Sequence, residues 1–214
     1  MRRELDAYYT PDALAEAILA TYRGQNKSGR SCVWLEPSVG GGAFARAIKK
    51  FRPNDIVIGI DINPNAAGLK DVDHPIVGDF LSLKIGGPEL IIGNPPFNNA
   101  EAHVRHAISL CSPGGSVAFL LRLAFLEGSN RRKFWDEFPP VGVNIIRPRP
   151  SFIGGGTDMC AYALFTWRSG HGAGSLDHSD CSEIGWIDWK KKSGSIRSGG
   201  ELLSQSTLTQ DPTG

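Results

Sequence analysis

Short apolar runs alternate along the chain with segments whose apolar positions recur every three or four residues. Cys32–Glu36, Asp55–Asp61, Leu90–Gly93 and Gly115–Leu121 read as buried strands, and Ala43–Phe51, Ala100–Leu110 and Ser129–Glu137 as amphipathic helices. Brief apolar strands alternating with helices predict a parallel sheet covered on both faces. Upstream, Thr10 is placed to cap a helix opening at Pro11, with Leu14, Ile18 and Tyr22 as its apolar stripe. Gly24 to Ser31 is a polar connector. Val143–Arg147 and Ala161–Trp167 read as closing strands around a Phe152-to-Asp158 loop.

After Arg168 the periodicity ends and Ser, Gly, His and Asp dominate. The pattern predicts one domain over residues 1–167 and a Ser/Gly-rich extension over 168–214, partly disordered. Within the extension, 168–182 reads as a linker and Lys190 to Gly214 as disordered. Ile184–Trp189, with its two tryptophans, is expected to dock back on the domain.

Length and charge narrow the picture only slightly. A chain of 214 residues can bury a substantial core. With 23 Lys and Arg against 22 Asp and Glu, no global field draws it to nucleic acid, which weighs against tight autonomous binding and leaves room for a local basic rim. Arg131, Arg132 and Lys133, with Arg147 and Arg149, are its candidates, and the first three read equally as a solvated helix face. Cys32, Cys111, Cys160 and Cys181 lack paired metal spacing, and Cys32 and Cys160 are expected as small core residues. His103 and His106, one helical turn apart, read as a surface helix face, and no metal is expected. No charged-then-apolar leader opens the chain. The longest apolar stretch, Val117 to Leu126, is broken by Arg122 and too short to span a bilayer. A soluble, cytoplasmic protein with reduced thiols is the expectation, with no membrane partner.

Three segments carry chemistry. The apolar run 90–93 ends in Asn94-Pro95-Pro96-Phe97. Its prolines fix φ and push Asn94 out of the helical region, giving a stiff turn at a strand's carboxyl end. Such a turn offers one amide, backbone carbonyls and one aromatic face, a fit for a planar amine. Glu36-Pro37-Ser38-Val39-Gly40-Gly41-Gly42-Ala43-Phe44 joins a strand to a helix through a glycine-rich turn that a ligand can approach closely. Asp61 ends the next strand, at the spacing where doubly wound folds place a ribose-binding acid.

In this order, from about Tyr8 to Trp167, these segments resemble the S-adenosylmethionine-dependent N6-adenine DNA methyltransferases. Tyr8-Tyr9-Thr10-Pro11 is similar to that family's N-terminal cofactor motif, and Leu35 to Phe44 to its glycine-rich motif. Gly78-Asp79-Phe80 resembles the segment that reads the cofactor adenine, and Arg149-Pro150-Ser151-Phe152 the late motif whose aromatic stacks on an extruded base. The resemblance implies a class I Rossmann-like fold, α/β, doubly wound and mostly parallel, with an antiparallel strand near the edge. It implies S-adenosyl-L-methionine as cofactor, held by Tyr9, Thr10, Pro11, Glu36, Pro37, Ser38, Gly40, Gly42, Asp61, Asp79, Phe80 and Asn94. Asn94, Pro95, Pro96 and Phe97 would be catalytic, and Phe97, Phe152, Arg147 and Arg149 would hold the substrate. For Glu36 two roles stay open, orienting the glycine loop or meeting the methionine amine. Phe152 could equally anchor its loop, and Gly154 to Gly156 could form a simple turn.

The implied partner is nucleic acid, most simply DNA. The Asn-Pro-Pro-Phe motif is shared by relatives acting on RNA adenine or protein glutamine, and a non-catalytic cofactor-binding subunit is a further alternative. The chain departs from larger relatives in having no segment long enough for a separate target-recognition domain. Recognition would then fall to a protein partner, the late loop or the tail.

Overall fold

The computed structural model describes residues 9–22, 30–152, 159–170 and 183–190. Tyr8, most of the connector (23–29), the loop glycines (within 153–158), most of the linker with Cys181 (171–182) and the tail (191–214) lie outside the described residues.

Eight strands form one sheet: β1 (Val33–Pro37), β2 (Ile56–Asp61), β3 (His74–Val77), β4 (Leu90–Gly93), β5 (Ser116–Arg122), β6 (Gly142–Arg147), β7 (Tyr162–Arg168) and β8 (Glu183–Asp188). Their order is β3-β2-β1-β4-β5-β7-β6-β8. β7 runs antiparallel to both its neighbours, and every other pairing is parallel. The helices are α1 (Asp12–Tyr22), α2 (Ala43–Phe51), α3 (Ala100–Leu110) and α4 (Arg132–Glu137). The mostly parallel doubly wound sheet with a reversed strand near one edge is as expected.

Alternation along the strands divides the core. Trp34, Val57 and Leu164 face α1 and α2, where Leu14, Ile18, Phe44 and Ile48 are buried. Leu35, Ile91, Phe119 and Phe165 face the other way, onto Val104 and Phe134. Burying both faces of a strand explains why the central runs are continuously apolar rather than alternating.

Four local outcomes differ from the pattern. α1 begins at Asp12, with Leu14 and Ala15 N–H bonding the Pro11 carbonyl, so Pro11 takes the cap position and the Thr10 hydroxyl is used elsewhere. The expected helix 129–137 splits into a 3₁₀ turn at Ser129–Arg131 and a short α4. Strand β3 has no counterpart in the pattern. It is an edge strand bearing Pro75, mostly exposed, and it lacks the apolar run that marks a central strand. His103 is buried, not part of a surface face, because α3 turns it onto Phe80.

Ile184–Trp189 does dock. β8 pairs in parallel with β6, Ile145 opposite Trp186, and α1 packs against it. Trp189 Nε1 donates to the Pro148 carbonyl at 2.7 Å.

Candidate active site

The chain order β1-then-β2 on one side and β4 on the other makes the β1/β4 boundary the point where the topology reverses. Crevices at such points, beyond the carboxyl ends of the strands, are where doubly wound sheets bind ligands. Ser38 follows β1 there, Asp61 ends β2 and Asn94 follows β4.

The loop after β1 is held in a demanding conformation. Gly40 and Gly42 have φ of 54° and 78°, and Ser38 reaches 65° although it has a side chain. A Cβ at Gly42 would sit 2.7 Å from Gly68 Cα and from an Asp71 carboxylate oxygen, so the loop presses directly on the 3₁₀ turn Ala67–Asp71. Gly68 N–H bonds the Gly40 carbonyl at 2.9 Å. Asp61 ties the loop to β2: one carboxylate oxygen accepts from Gly40 N–H at 2.7 Å and the other from Asn63 N–H at 2.9 Å. Arg46, not singled out in the sequence, bonds the Gly41 carbonyl at 2.6 Å and pairs with Asp71 and Asp12, tying α1, the loop and the 3₁₀ turn together.

A cavity of about 310 Å³ opens beside this loop. Asp61, Asp79, Phe80, Asn94 and His103 contribute to its wall, so three separate motifs converge on one space. Asp79 Oδ1 accepts from Leu81 N–H at 3.0 Å, which starts a 3₁₀ turn and sets Phe80 into the core. Phe80 stacks on His103, centroids 5.4 Å apart, and meets His106 edge-on at 4.9 Å.

A second, much smaller space of about 20 Å³ lies behind the loop, between Glu36, Thr10 and Asn94. Glu36 is 2% exposed, and its Oε2 has no hydrogen-bond partner. Burial holds its carboxyl well above the usual glutamate pKa, and the Asp61 and Asp71 charges add to the rise, against the Ala45 N–H and Arg46. Tyr9 borders both spaces, its ring lying over Gly40 and Gly41. Asn94 Nδ2 donates to Thr10 Oγ1 at 3.2 Å.

On the acceptor side, the expected residues are not all presented. Phe97 lies against Tyr162, and the Arg122 guanidinium sits 4.8 Å from its ring centroid. Phe152 is buried, edge-on to Tyr162 at 4.7 Å, so its ring packs in the core rather than offering a free face. Arg147 forms a two-point pair with Asp188 of β8 and lies over Trp186, and Arg149 donates to the Met159 carbonyl. Of the expected rim, Arg131 borders a further cavity of about 350 Å³ that Phe97, Asn98 and Arg105 also line. Arg132 and Lys133 are exposed. Among the described residues no three or more His, Cys, Asp or Glu side chains gather as metal ligands would.

The fold is that of the class I S-adenosylmethionine-dependent methyltransferases. Similar solved structures include a putative class I methyltransferase from Listeria monocytogenes (12% identity, TM-score 0.71, covering 88% of this chain and 69% of that one). The M protein of the type I restriction enzyme EcoKI is another (18% identity, TM-score 0.60, 83% of this chain and 47% of that one). Magnesium protoporphyrin IX methyltransferase from Synechocystis, solved with bound S-adenosylmethionine, is a third (11% identity, TM-score 0.52, 73% and 78%). No protein-family model matches the chain, and no curated protein matches it. Among the described residues no helix is long and apolar enough to cross a membrane.

Proposed function

We propose that this chain is a methyltransferase that uses S-adenosyl-L-methionine to methylate the exocyclic N6 amine of adenine in DNA. The observation that carries the reading is the placement of Asn94, at the carboxyl end of β4, on the walls of both spaces beside the glycine loop.

The residues fit the cofactor. Glu36 Oε2, buried without a partner, matches the ammonium of an amino acid, which would also draw its proton away. Gly40 and Gly42 provide a backbone cradle, Asp61 retains lone pairs for ribose hydroxyls, and Phe80 and Asp79 border the space for the purine. Tyr9, Thr10 and Pro11 would cover the amino-acid end, and Pro37 and Ser38 turn the chain around it. When bound, S-adenosylmethionine supplies an electrophilic methyl on a sulfonium.

The chain's task is then to prepare the acceptor. An adenine N6 lone pair is delocalised into the ring. Nδ2 of Asn94 is committed to Thr10, so an incoming amine meets the carbonyl end, Oδ1. Together with the Pro95 carbonyl it accepts the two N–H bonds, draws the nitrogen towards tetrahedral geometry and stabilises the positive charge that develops there. The prolines keep these dipoles in place before the acceptor arrives. The surplus proton leaves the N-methyl ammonium to solvent.

An adenine in a duplex must be extruded to reach the turn. The cavity beside Phe97 and Arg131 is the approach on that side, and Arg122 has to leave the Phe97 ring before a base can stack on the face it covers. Phe152, Arg147 and Arg149 would act only after leaving their present contacts. Sequence recognition by a protein partner is part of the same reading. Labelled S-adenosylmethionine offered with DNA, RNA and protein pools tests it: label on DNA adenine is expected. Label on RNA or glutamine would reassign the acceptor, and no transfer would make the chain a binding subunit.

A further inference from the structure

Among the titratable residues that line the cavity of about 310 Å³ beside the glycine loop, His103 is the one with no role assigned so far. It is 5% exposed and lines the cavity wall. Its Nδ1 lies 2.9 Å from the Asn99 carbonyl oxygen, which can only accept, so Nδ1 carries the proton of the neutral ring. Nε2 is then an acceptor, and it has no hydrogen-bond partner among the described residues. On a residue that lines the cavity, that acceptor is left for a donor from whatever occupies the space. The ring is also fixed in place, stacked on Phe80 and held through Asn99 to the segment that follows the Asn94–Phe97 turn.

We infer that His103 is a specificity-determining residue for the cofactor's purine, accepting through Nε2 a hydrogen bond from the ring's 6-amino group. The inference rests on the cofactor reading above and extends it, since a 6-oxo purine presents an acceptor at the same position and meets the Nε2 lone pair with repulsion. Hypoxanthine ligands are therefore rejected and adenine ligands accepted. Asp79 in the neighbouring 3₁₀ turn supplies a second acceptor on the cavity wall, so His103 contributes part of the preference.

Protonation reverses the role of Nε2, turning it from acceptor to donor. The groups facing His103 are Asp79, whose charge favours the protonated ring, and His106, whose charge opposes it; Asp61 lies on the same cavity wall. Burial dominates and holds the pKa below the ordinary imidazole value, so the neutral acceptor form prevails at neutral pH. The adenine preference is then constant at and above neutral pH and declines as pH falls through the imidazole's titration.

Calorimetry on the full chain with S-adenosylhomocysteine and S-inosylhomocysteine tests this from pH 8 down to pH 5. The two ligands share one amino-acid end, so the ratio of affinities cancels any contribution from Glu36. We expect a preference of about tenfold or more for the adenine ligand at pH 8, shrinking towards pH 5. His103→Phe keeps a ring on Phe80 and should cut the ratio by about tenfold and flatten its pH profile. His103→Gln, whose amide accepts without titrating here, should keep the ratio at both ends. An unchanged ratio and profile in His103→Phe, with His103→Gln equally unaffected, overturns the inference alone. Failure of the parent protein to bind either ligand overturns the cofactor reading and this inference with it.

Discussion

Asn94 and Thr10, 84 positions apart, are joined by a 3.2 Å hydrogen bond from Nδ2 to Oγ1. Through it the segment ahead of α1 fixes which way the Asn94 amide is turned. Thr10 is thus not the helix cap that its position ahead of Pro11 suggested, but a fixture of the proposed reaction centre.

Two substitutions separate these roles. Asn94→Ala should lower the methyl-transfer rate by about two to three orders of magnitude, the scale for removing one preorganised dipole, while cofactor affinity measured by calorimetry stays close to the parent. Thr10→Val frees the amide to turn and should cost about tenfold in rate, the worth of one hydrogen bond. Full activity in Asn94→Ala would remove the proposed mechanism.

Phe97 should behave differently from Asn94. Phe97→Ala should weaken the hold on the extruded base by about 1–3 kcal/mol. With 2-aminopurine at the target position, fluorescence should report an extruded base in Asn94→Ala and an altered signal in Phe97→Ala. Equal signals in the two variants would show that Phe97 does not stack on the base.

Asp61 holds the glycine loop through Gly40, so its removal affects both loop and ligand. Asp61→Ala should weaken S-adenosylmethionine binding by about 1–3 kcal/mol. A ligand lacking a ribose hydroxyl separates the two effects. It should bind the parent less tightly than the intact ligand, yet bind Asp61→Ala no worse than the intact ligand does. If the deoxy penalty survives in the variant, Asp61 is a loop anchor and not the ribose acceptor.

Glu36 makes stability pH-dependent with a defined sign. The folded chain keeps the Glu36 proton where the unfolded chain has released it, so stability declines as pH rises from the usual glutamate value through the raised one, then levels off. Chemical denaturation across this range should show that decline in the parent and its loss in Glu36→Gln. At pH 8 the same variant should bind S-adenosylhomocysteine about 10- to 100-fold less tightly, the worth of a hydrogen bond to a charged group. A parent stability that rises over this window would contradict a buried, proton-holding carboxyl.

Gly42→Ala places a side chain at φ 78° and drives Cβ to 2.7 Å from Gly68 Cα. The strain should lower stability by about 1–3 kcal/mol, read as a fall in the unfolding midpoint. A Cβ at Gly78 would have nothing within 4 Å, so Gly78→Ala should have little effect and serves as the control.

Where the determinants are local, the order of residues along the chain was enough. The central strands are continuously apolar because both faces are buried, and that can be read without a partner in view; β1, β2, β4, β5 and β7 were all legible for this reason. Asn94-Pro95-Pro96-Phe97 and the glycine loop were equally legible, since proline and glycine restrict or free φ wherever they stand. Edge strand β3 carried no such mark, because its pairing comes from β2 rather than from its own side chains. Only the tertiary structure could decide what each polar side chain meets. It gave Thr10 to Asn94, Arg147 to Asp188, Arg122 to the Phe97 ring and His103 to the cavity beside Phe80. A hydrogen bond or ring contact depends on distances of a few ångströms between groups that lie far apart along the chain, and spacing in the sequence holds no record of those distances until the sheet has formed.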